Sequence, residues 1–370
     1  MSAPRLRLLA DDLTGALDAT AELTGLCGPV PVAWDDATDR TGSLALDSGT
    51  REAPRELATA RVRALAPALA GAGIAFKKID SLLRGHVAAE LAACLATRHW
   101  AHVVLAPAFP AQGRITRAGQ VLRRQTDGSW TAVACDLLAA LQAEGLRPVR
   151  GSCDQPLPSG VSIFDAEGEA DLARIVTLGR GATKPVLWCG TAGLARALAG
   201  ASAAPVSTAL RSPVLGLFGS DQAVTARQLA ACDACWTQAA DGSPAEAARI
   251  AGLLEDSGAA MVSLALPLGL DRAEAARRIA AALAGLLQRL PRPGTLAVAG
   301  GETLHAICRA LGARSLEATG LVAAGVPRSV MRGGIWDGLE VVSKSGAFGG
   351  DTLWRDLLAG NGLLTRSIDA

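Results

Sequence analysis

Several clusters of polar residues in this 370-residue chain have types and spacings suited to chemistry. Asp11 and Asp12 stand side by side, after a short apolar run and before a segment of helical period. One carboxylate can face a crevice while the other caps the helix, and the spacing leaves open which does which. The D-x-D-x-T spacing of a haloacid-type phosphatase is not met. The run Phe76-Lys77-Lys78-Ile79-Asp80-Ser81-Leu82-Leu83-Arg84-Gly85 reads as a strand and a turn. Alternation puts Lys78 and Asp80 on one face and Lys77 and Ile79 on the other. Lysines in an apolar strand are unfavourable unless an anion pairs with them. Arg84 at the turn can bind a carboxylate bidentately. This is a cradle for an anionic substrate, or else an internal salt-bridge set among Lys78, Asp80 and Arg84. Arg51, in a polar loop after another apolar run, can add to the same site.

Glycine loops mark the second half, at residues 216–221, 300–303 and 343–351. Each follows a strand candidate. Glycines let backbone N–H groups approach phosphate oxygens, and a helix N-terminus favours anions. Three such turns in succession point to a nucleotide site. No G-x-x-x-x-G-K-[ST] is present, which excludes a P-loop enzyme, and no G-x-G-x-x-G follows a strand.

The elements that must position these residues follow a β-then-α rhythm. Strand candidates lie at 5–10, 73–79, 102–107, 161–164 and 186–189, with Ala- and Leu-rich helical stretches between them. Residues 199–212 interrupt the rhythm and read as a linker. It resumes with strand candidates at 214–218, 260–266, 295–299 and 339–343 and helices at 222–232, 273–288 and 303–311. The expected fold is α/β: two domains, each a mostly parallel sheet flanked by helices. Ligands should then sit beyond the carboxyl ends of the strands.

Composition narrows the function classes. Lys and Arg number 36 against 35 Asp and Glu, a formal charge of +1, so there is no basic field to attract nucleic acid or an anionic membrane. No apolar run approaches the ~18 residues of a spanning helix. The opening carries Arg5 and Arg7 and then two acids, unlike a signal peptide. A cytoplasmic protein with eight reduced Cys is expected. Cys232 and Cys235 form a C-x-x-C with no second pair at zinc spacing, in what reads as a helix interior.

In order along the chain, ADDLTGALD, KKIDSLLRG, PAFPAQGR, GTAGLARAL, FGSDQAVTARQL, GGETLHAICRALG and VVSKSGAFGG resemble the motifs of the four-carbon acid sugar kinases. That family includes threonate, erythronate and 3-oxo-tetronate kinases. The matching segments run from residue 10 to residue 351, nearly the whole chain. The resemblance implies a substrate domain at residues 1–204 and a nucleotide-binding domain at 205–370, with a ligand cleft between them. It implies ATP as phosphoryl donor, accompanied by Mg²⁺. Asp11, Asp12, Arg51, Lys78, Asp80, Ser81 and Arg84 match its substrate-site motifs, with Asp12 the choice over Asp11 as general base. Ser220, Gly300, Gly301, Glu302, Thr303 and Gly346 match its ATP-site motifs. His86 and Leu82 depart from the usual Asn and small polar residue beside the substrate loop, which bears on which acid is bound. The KKIDSLLRG form is closer to the threonate or erythronate branch than to the 3-oxo-tetronate branch. The implied reaction is phosphorylation of a hydroxyl, the terminal one, of a four-carbon sugar acid. The alternatives are a 3-oxo-tetronate kinase and, from another class, a non-catalytic sugar-acid sensor. The implied partners are the small acid and ATP, with homo-oligomerisation left open.

Overall fold

The computed structural model describes residues 3–34, 41–98, 100–219, 222–267 and 269–364. The chain divides into two compact units, Met1–Pro205 and Val206–Ala370.

The first unit runs β1 (Leu6–Ala10), α1 (Leu13–Glu22), α2 (Thr24–Cys27), β2 (Val30–Ala33), β3 (Leu44–Asp47), α3 (Arg55–Leu65), β4 (Ile74–Lys78), α4 (Val87–Leu95) and β5 (His102–Ala106). It continues with β6 (Arg114–Arg117), β7 (Gln120–Arg124), β8 (Trp130–Ala132), α5 (Leu137–Ala143), β9 (Val149–Gly151), β10 (Gly160–Phe164), α6 (Glu169–Arg180), β11 (Val186–Gly190) and α7 (Ala192–Ala199). Within this unit the strand order is β2-β3-β1-β4-β11-β5-β10-β9, and every pairing is parallel. Helices α3, α4 and α5 pack together on one face; α1, α6 and α7 pack together on the other. From β1 the chain moves to β2 and β3 on one side and later to β4 on the other. The carboxyl end of β1 is therefore a topological switch point, where such sheets open a crevice. The core is Leu, Val and Ala with few rings, so helices approach closely. Helix α1 carries Gly15, Ala16, Ala19 and Ala21 and is buried along its whole length.

The second unit runs β12 (Val214–Phe218), α8 (Ala223–Ala230), β13 (Trp236–Ala239), α9 (Pro244–Ser257), β14 (Ala259–Leu264), α10 (Arg272–Leu287), β15 (Thr295–Ala299), α11 (Gly301–Leu311), β16 (Ser315–Ala323), β17 (Val326–Arg332), β18 (Glu340–Lys344) and α12 (Leu353–Gly360). Its order is β13-β14-β12-β15-β18-β17-β16. The first five strands are parallel; β17 and β16 are antiparallel. Helices α8 and α12 pack together, as do α10 and α11. Caps set the helix ends: Ser243 and Asp271 accept from the N–H groups of Glu246 and Glu274, and Gly258 and Gly312 end α9 and α11 with left-handed φ values of 72° and 70°.

After the turn at residues 107–113, Arg114 opens an antiparallel ribbon of β6, β7 and β8. The hairpin of β16 and β17 was not anticipated. One local expectation needs correction: Cys232 and Cys235 are not in a helix interior, since Cys232 caps and Cys235 ends a short 3-10 turn between α8 and β13. Both are buried free thiols, and burial pushes Cys232 up to about 12, which removes the thiolate a redox pair needs. Among the described residues no helix is long and apolar enough to cross a membrane.

The GTAGLARAL segment shows why its glycine is required. A Cβ on Gly193 would lie 2.8 Å from the Ala108 carbonyl oxygen and 3.1 Å from the Phe109 Cα, both backbone atoms. The same Ala108 carbonyl accepts from Thr191 Oγ1, the N-cap residue of α7. Gly193→Ala gains about 1 kcal/mol of helix propensity but must push α7 off this loop, a strain of about 1–3 kcal/mol. A net loss of stability is expected in urea denaturation; a more stable variant would show that the close approach is not required.

Candidate active site

In the first unit, β3, β1 and β4 are neighbours in register, with Ala10 level with Asp47 and Leu9 level with Lys77. The loops leaving these three strands therefore start together. They carry Asp11 and Asp12 from β1, Ser48–Arg51 from β3 and Ile79–Gly85 from β4.

Arg51 joins them. Its Nε and Nη2 donate to the two Asp11 carboxylate oxygens at 2.7 and 2.8 Å. Its Nη1 lies 2.7 Å from Asp12 Oδ2 and 3.6 Å from Asp80 Oδ1. Burial alone would raise the Asp11 carboxyl; Arg51 reverses this and holds it below the ordinary range. Asp80 behaves likewise. Burial opposes its charge, but Arg84 donates to both its oxygens at 2.9 and 2.8 Å, and the Leu82 and Arg84 N–H groups add two further bonds. Its carboxyl is held well below the usual range.

Asp12 is the N-cap of α1. Its Oδ1 accepts from Gly15 N–H at 2.9 Å, while Oδ2 accepts from Thr14 Oγ1 at 2.8 Å. Its side chain is 19% exposed against 5% for Asp11, so it is the more open of the two acids. Asp11 is an anchor for Arg51. The structure thus gives the cap to the same residue that the sequence favoured as base.

The two lysines separate as alternation requires. Lys77 turns to the α4 side and pairs with Glu90 at 2.8 Å, both nearly inaccessible. Burial disfavours its ammonium, but Glu90 more than compensates and its pKa is raised. Glu90 also accepts from Thr50 Oγ1 at 2.6 Å; Thr50 contacts the Ser48 hydroxyl, which donates to the Ala10 carbonyl. This internal network supports the Arg51 loop from behind. Lys78 turns to the α1 side. Its Nζ donates to the Ile79 carbonyl at 2.8 Å, and among the described residues it forms no ion pair. A Cβ on Gly15 would overlap Asp12 Oδ1 and fall 3.0 Å from that Nζ and 3.5 Å from Arg51 Nη2. A carboxylate, an ammonium and a guanidinium therefore converge beside the first turn of α1.

The expected salt-bridge set is thus divided: Asp80 and Arg84 form it, and Lys78 stays out. Ser81 is buried at the turn. Leu83 adopts φ 57°, a left-handed conformation unusual for a branched side chain, and Gly85 packs on the Arg51 backbone. His86 Nε2 lies 2.8 Å from the Ala53 carbonyl, tying this turn to the Arg51 loop.

Sequence reasoning missed Gly15, Thr50, Glu90 and Asp18. Asp18 lies on α1, one turn beyond Gly15. Its Oδ1 has no hydrogen-bond partner, and burial pushes its carboxyl up to about 7 despite Lys78 nearby. Burial raises Asp47 in the same way. Only the spacing of Asp18 within ADDLTGALD could have pointed to it.

In the second unit the carboxyl ends of β12, β15 and β18 are again neighbours. Phe218 is level with Ala299, and Ala299 with Lys344. Gly300 begins the α11 cap with φ 100° and no side-chain cap, and its N–H donates to the Lys344 carbonyl at 2.9 Å. Gly301, Glu302 and Thr303 form the first turn of α11. Thr303 is buried beside Gly219, whereas Glu302 is exposed and pairs with Arg272 at 2.9 Å. Gly346 is buried, and its carbonyl accepts from Thr225 Oγ1 of α8. Gln228 donates to the Phe348 and Gly350 carbonyls, fixing the rest of the loop. Ser220 lies outside the described residues.

Two domain models match the chain. Residues 6–147 match a sugar-binding N-terminal domain, and residues 215–353 match a nucleotide-binding C-terminal domain. The class is therefore a sugar-binding unit followed by a nucleotide-binding unit. The chain is 30% identical to a D-threonate kinase from Cupriavidus necator over 94% of its own length and 96% of that protein. It is 30% identical to a D-threonate kinase from Bordetella bronchiseptica over 94% and 95%. The chain belongs to the four-carbon acid sugar kinase family. A crystal structure from Salmonella typhimurium LT2 shares the fold at TM-score 0.74 and 21% identity, covering 95% of this chain and 98% of that one.

Asp18 offers a pH test. Its folded pKa is raised, so its contribution to stability is full below the unfolded value of about 3.9 and is lost as pH rises through about 7. Asp18→Asn should be near neutral in stability at about pH 4 and more stable than the parent at about pH 8. Urea titrations at both pH values check this; a variant less stable at the higher pH would mean that the charged carboxylate is needed.

Proposed function

We propose that this protein is an ATP-dependent kinase that phosphorylates a hydroxyl, the terminal one, of a four-carbon sugar acid such as threonate or erythronate. The observation that carries the reading is the end-to-end match with D-threonate kinases at 30% identity. The geometry agrees with it. A sugar acid brings a carboxylate, and Lys78 is a buried cation with no carboxylate of its own, beside Arg51 and the N-terminus of α1. Arg84, half-exposed on Asp80, can reach hydroxyls or the same carboxylate. Asp12 would orient and deprotonate the reacting hydroxyl through the carboxylate edge that Thr14 and Arg51 hold in place. Arg51 and Asp80 fix the positions of the others.

The second unit suits the phosphates of ATP. Gly300 ties the turn to β18, Gly301–Thr303 offer the N–H groups of the first turn of α11, which has no side-chain cap, and Gly346 lies in the loop after the neighbouring strand. Among the described residues no three His, Cys, Asp or Glu side chains converge as metal ligands. Mg²⁺ would therefore enter with the nucleotide phosphates, as it does where no protein cage exists, and would neutralise phosphate charge. A cytoplasmic location fits this substrate pair.

The reading is tested by ADP release from ATP with a panel of four-carbon acids. Acid-dependent release supports it; release independent of every acid, or none, removes it. Two variants then assign the site. Lys78→Met should raise KM for the acid about tenfold or more and leave KM for ATP nearly unchanged. Asp12→Asn keeps the cap, since Asn also caps helices, so stability should change by about 1 kcal/mol or less while kcat falls on the order of 10²-fold or more. Full turnover in both Asp12→Asn and Asp11→Asn would exclude this strand end from the chemistry.

A further inference from the structure

We propose that Lys344 is the phosphate ligand of the second unit, its ammonium donating to phosphate oxygens of a nucleotide bound at the ends of β12, β15 and β18. This rests on the nucleotide reading above and adds to it a residue and a role. The glycine loops supply backbone donors, but those carry partial charges only; a polyphosphate needs a cation, and the first turns of α8 and α11 offer none.

The register places Lys344 at the centre of the array. Phe218, Ala299 and Lys344 end three neighbouring strands at one level, and a glycine follows each within two residues, at Gly219, Gly300 and Gly346. Lys344 is fully buried. It lies two residues after Val342, on the face that packs against α8 and α12. Its Nζ donates to the Ser345 and Gly346 carbonyls at 3.1 and 3.3 Å. An ammonium has three donors, so one is left without an acceptor among the described residues. Gly346 is also held from α8 by Thr225, so the ammonium is fixed in the loop rather than swinging in solvent.

No counter-ion accounts for this charge among the described residues. Charged groups on the surrounding elements pair elsewhere: Arg227 of α8 with Asp351, Glu302 of α11 with Arg272, Arg355 with Asp356 on α12, and Arg328 of β17 with Glu340 of β18. A loop tie alone would not call for a buried cation, since a neutral donor makes the same two bonds without desolvating a charge. Burial brings the ammonium down to about 7. A phosphate beside it would restore the ordinary range, so nucleotide binding above neutral pH should draw a proton from solvent.

Calorimetric titration of the full chain with ADP and with adenosine tests this. In the parent protein at about pH 8, buffers of different ionisation enthalpy should report uptake of close to one proton per ADP and none per adenosine. Lys344→Met should weaken ADP about tenfold or more, abolish the uptake and leave adenosine unchanged. Parent-like ADP affinity in a folded Lys344→Met protein overturns the assignment while leaving the nucleotide reading intact. Should that variant not fold, Lys344→Gln, which keeps donors for the Ser345 and Gly346 carbonyls, decides: a loss of ADP affinity of about tenfold with adenosine unchanged supports the role, and parent-like ADP affinity overturns it. A parent that binds no ADP overturns both.

Discussion

The guanidinium of Arg51 is the interaction on which the first unit's site depends. Three carboxylates, Asp11, Asp12 and Asp80, leave adjacent strand ends and would repel one another if left alone. One planar cation reaches all three, and it comes from the loop after the third strand. Arginine suits the task because its fork satisfies Asp11 bidentately and still has a nitrogen for the others. Arg84 shares Asp80 with it, so Lys78 forms no ion pair among the described residues. Three carboxylates and three cations balance, and what a ligand meets is an ammonium held apart from its counter-charges rather than a net positive field.

The same design appears in each unit considered by itself. Parallel strands run out at a switch point, and neighbouring ends are level. A lysine closes one central strand, Lys78 on β4 and Lys344 on β18. Their surroundings differ. Lys78 has Asp11, Asp12, Asp18 and Asp80 nearby. Lys344 is surrounded by carbonyls and apolar side chains, so any anion there meets an undiluted charge in a poorly screened setting.

Much of this could be read from the chain because strand period and strand ends are local. Alternation placed Lys77 and Lys78 on opposite faces, and adjacency placed one acid of the Asp pair as a cap. The partner of Lys77 was not legible: Glu90 lies thirteen residues on, in a helix whose placement only the fold decides. Asp18 resembled any polar residue of an Ala-rich helix until the burial of α1 became visible. Lys344 stood in a glycine loop read for its backbone N–H groups, and its burial follows from the packing of α8 and α12. The β16–β17 hairpin carries period-two burial at Leu316 and Ala318, but register shifts near Gly320 and Leu321 blur the pattern. Ser220 lies beyond what the structure describes.

The Lys77–Glu90 pair has a consequence for how such a sequence can drift over evolutionary time. Each partner is sealed from water, so a change of either alone strands the other's charge in the core, at about 3–5 kcal/mol. That exceeds what a marginally stable fold tolerates easily. A neutral path to an apolar pair therefore passes through a poorly folded ancestor. The two codons are bound to change together or not at all, and Thr50, which donates to the same glutamate, is drawn into the same constraint. A supporting layer that touches no ligand can in this way be as resistant to divergence as the residues that do.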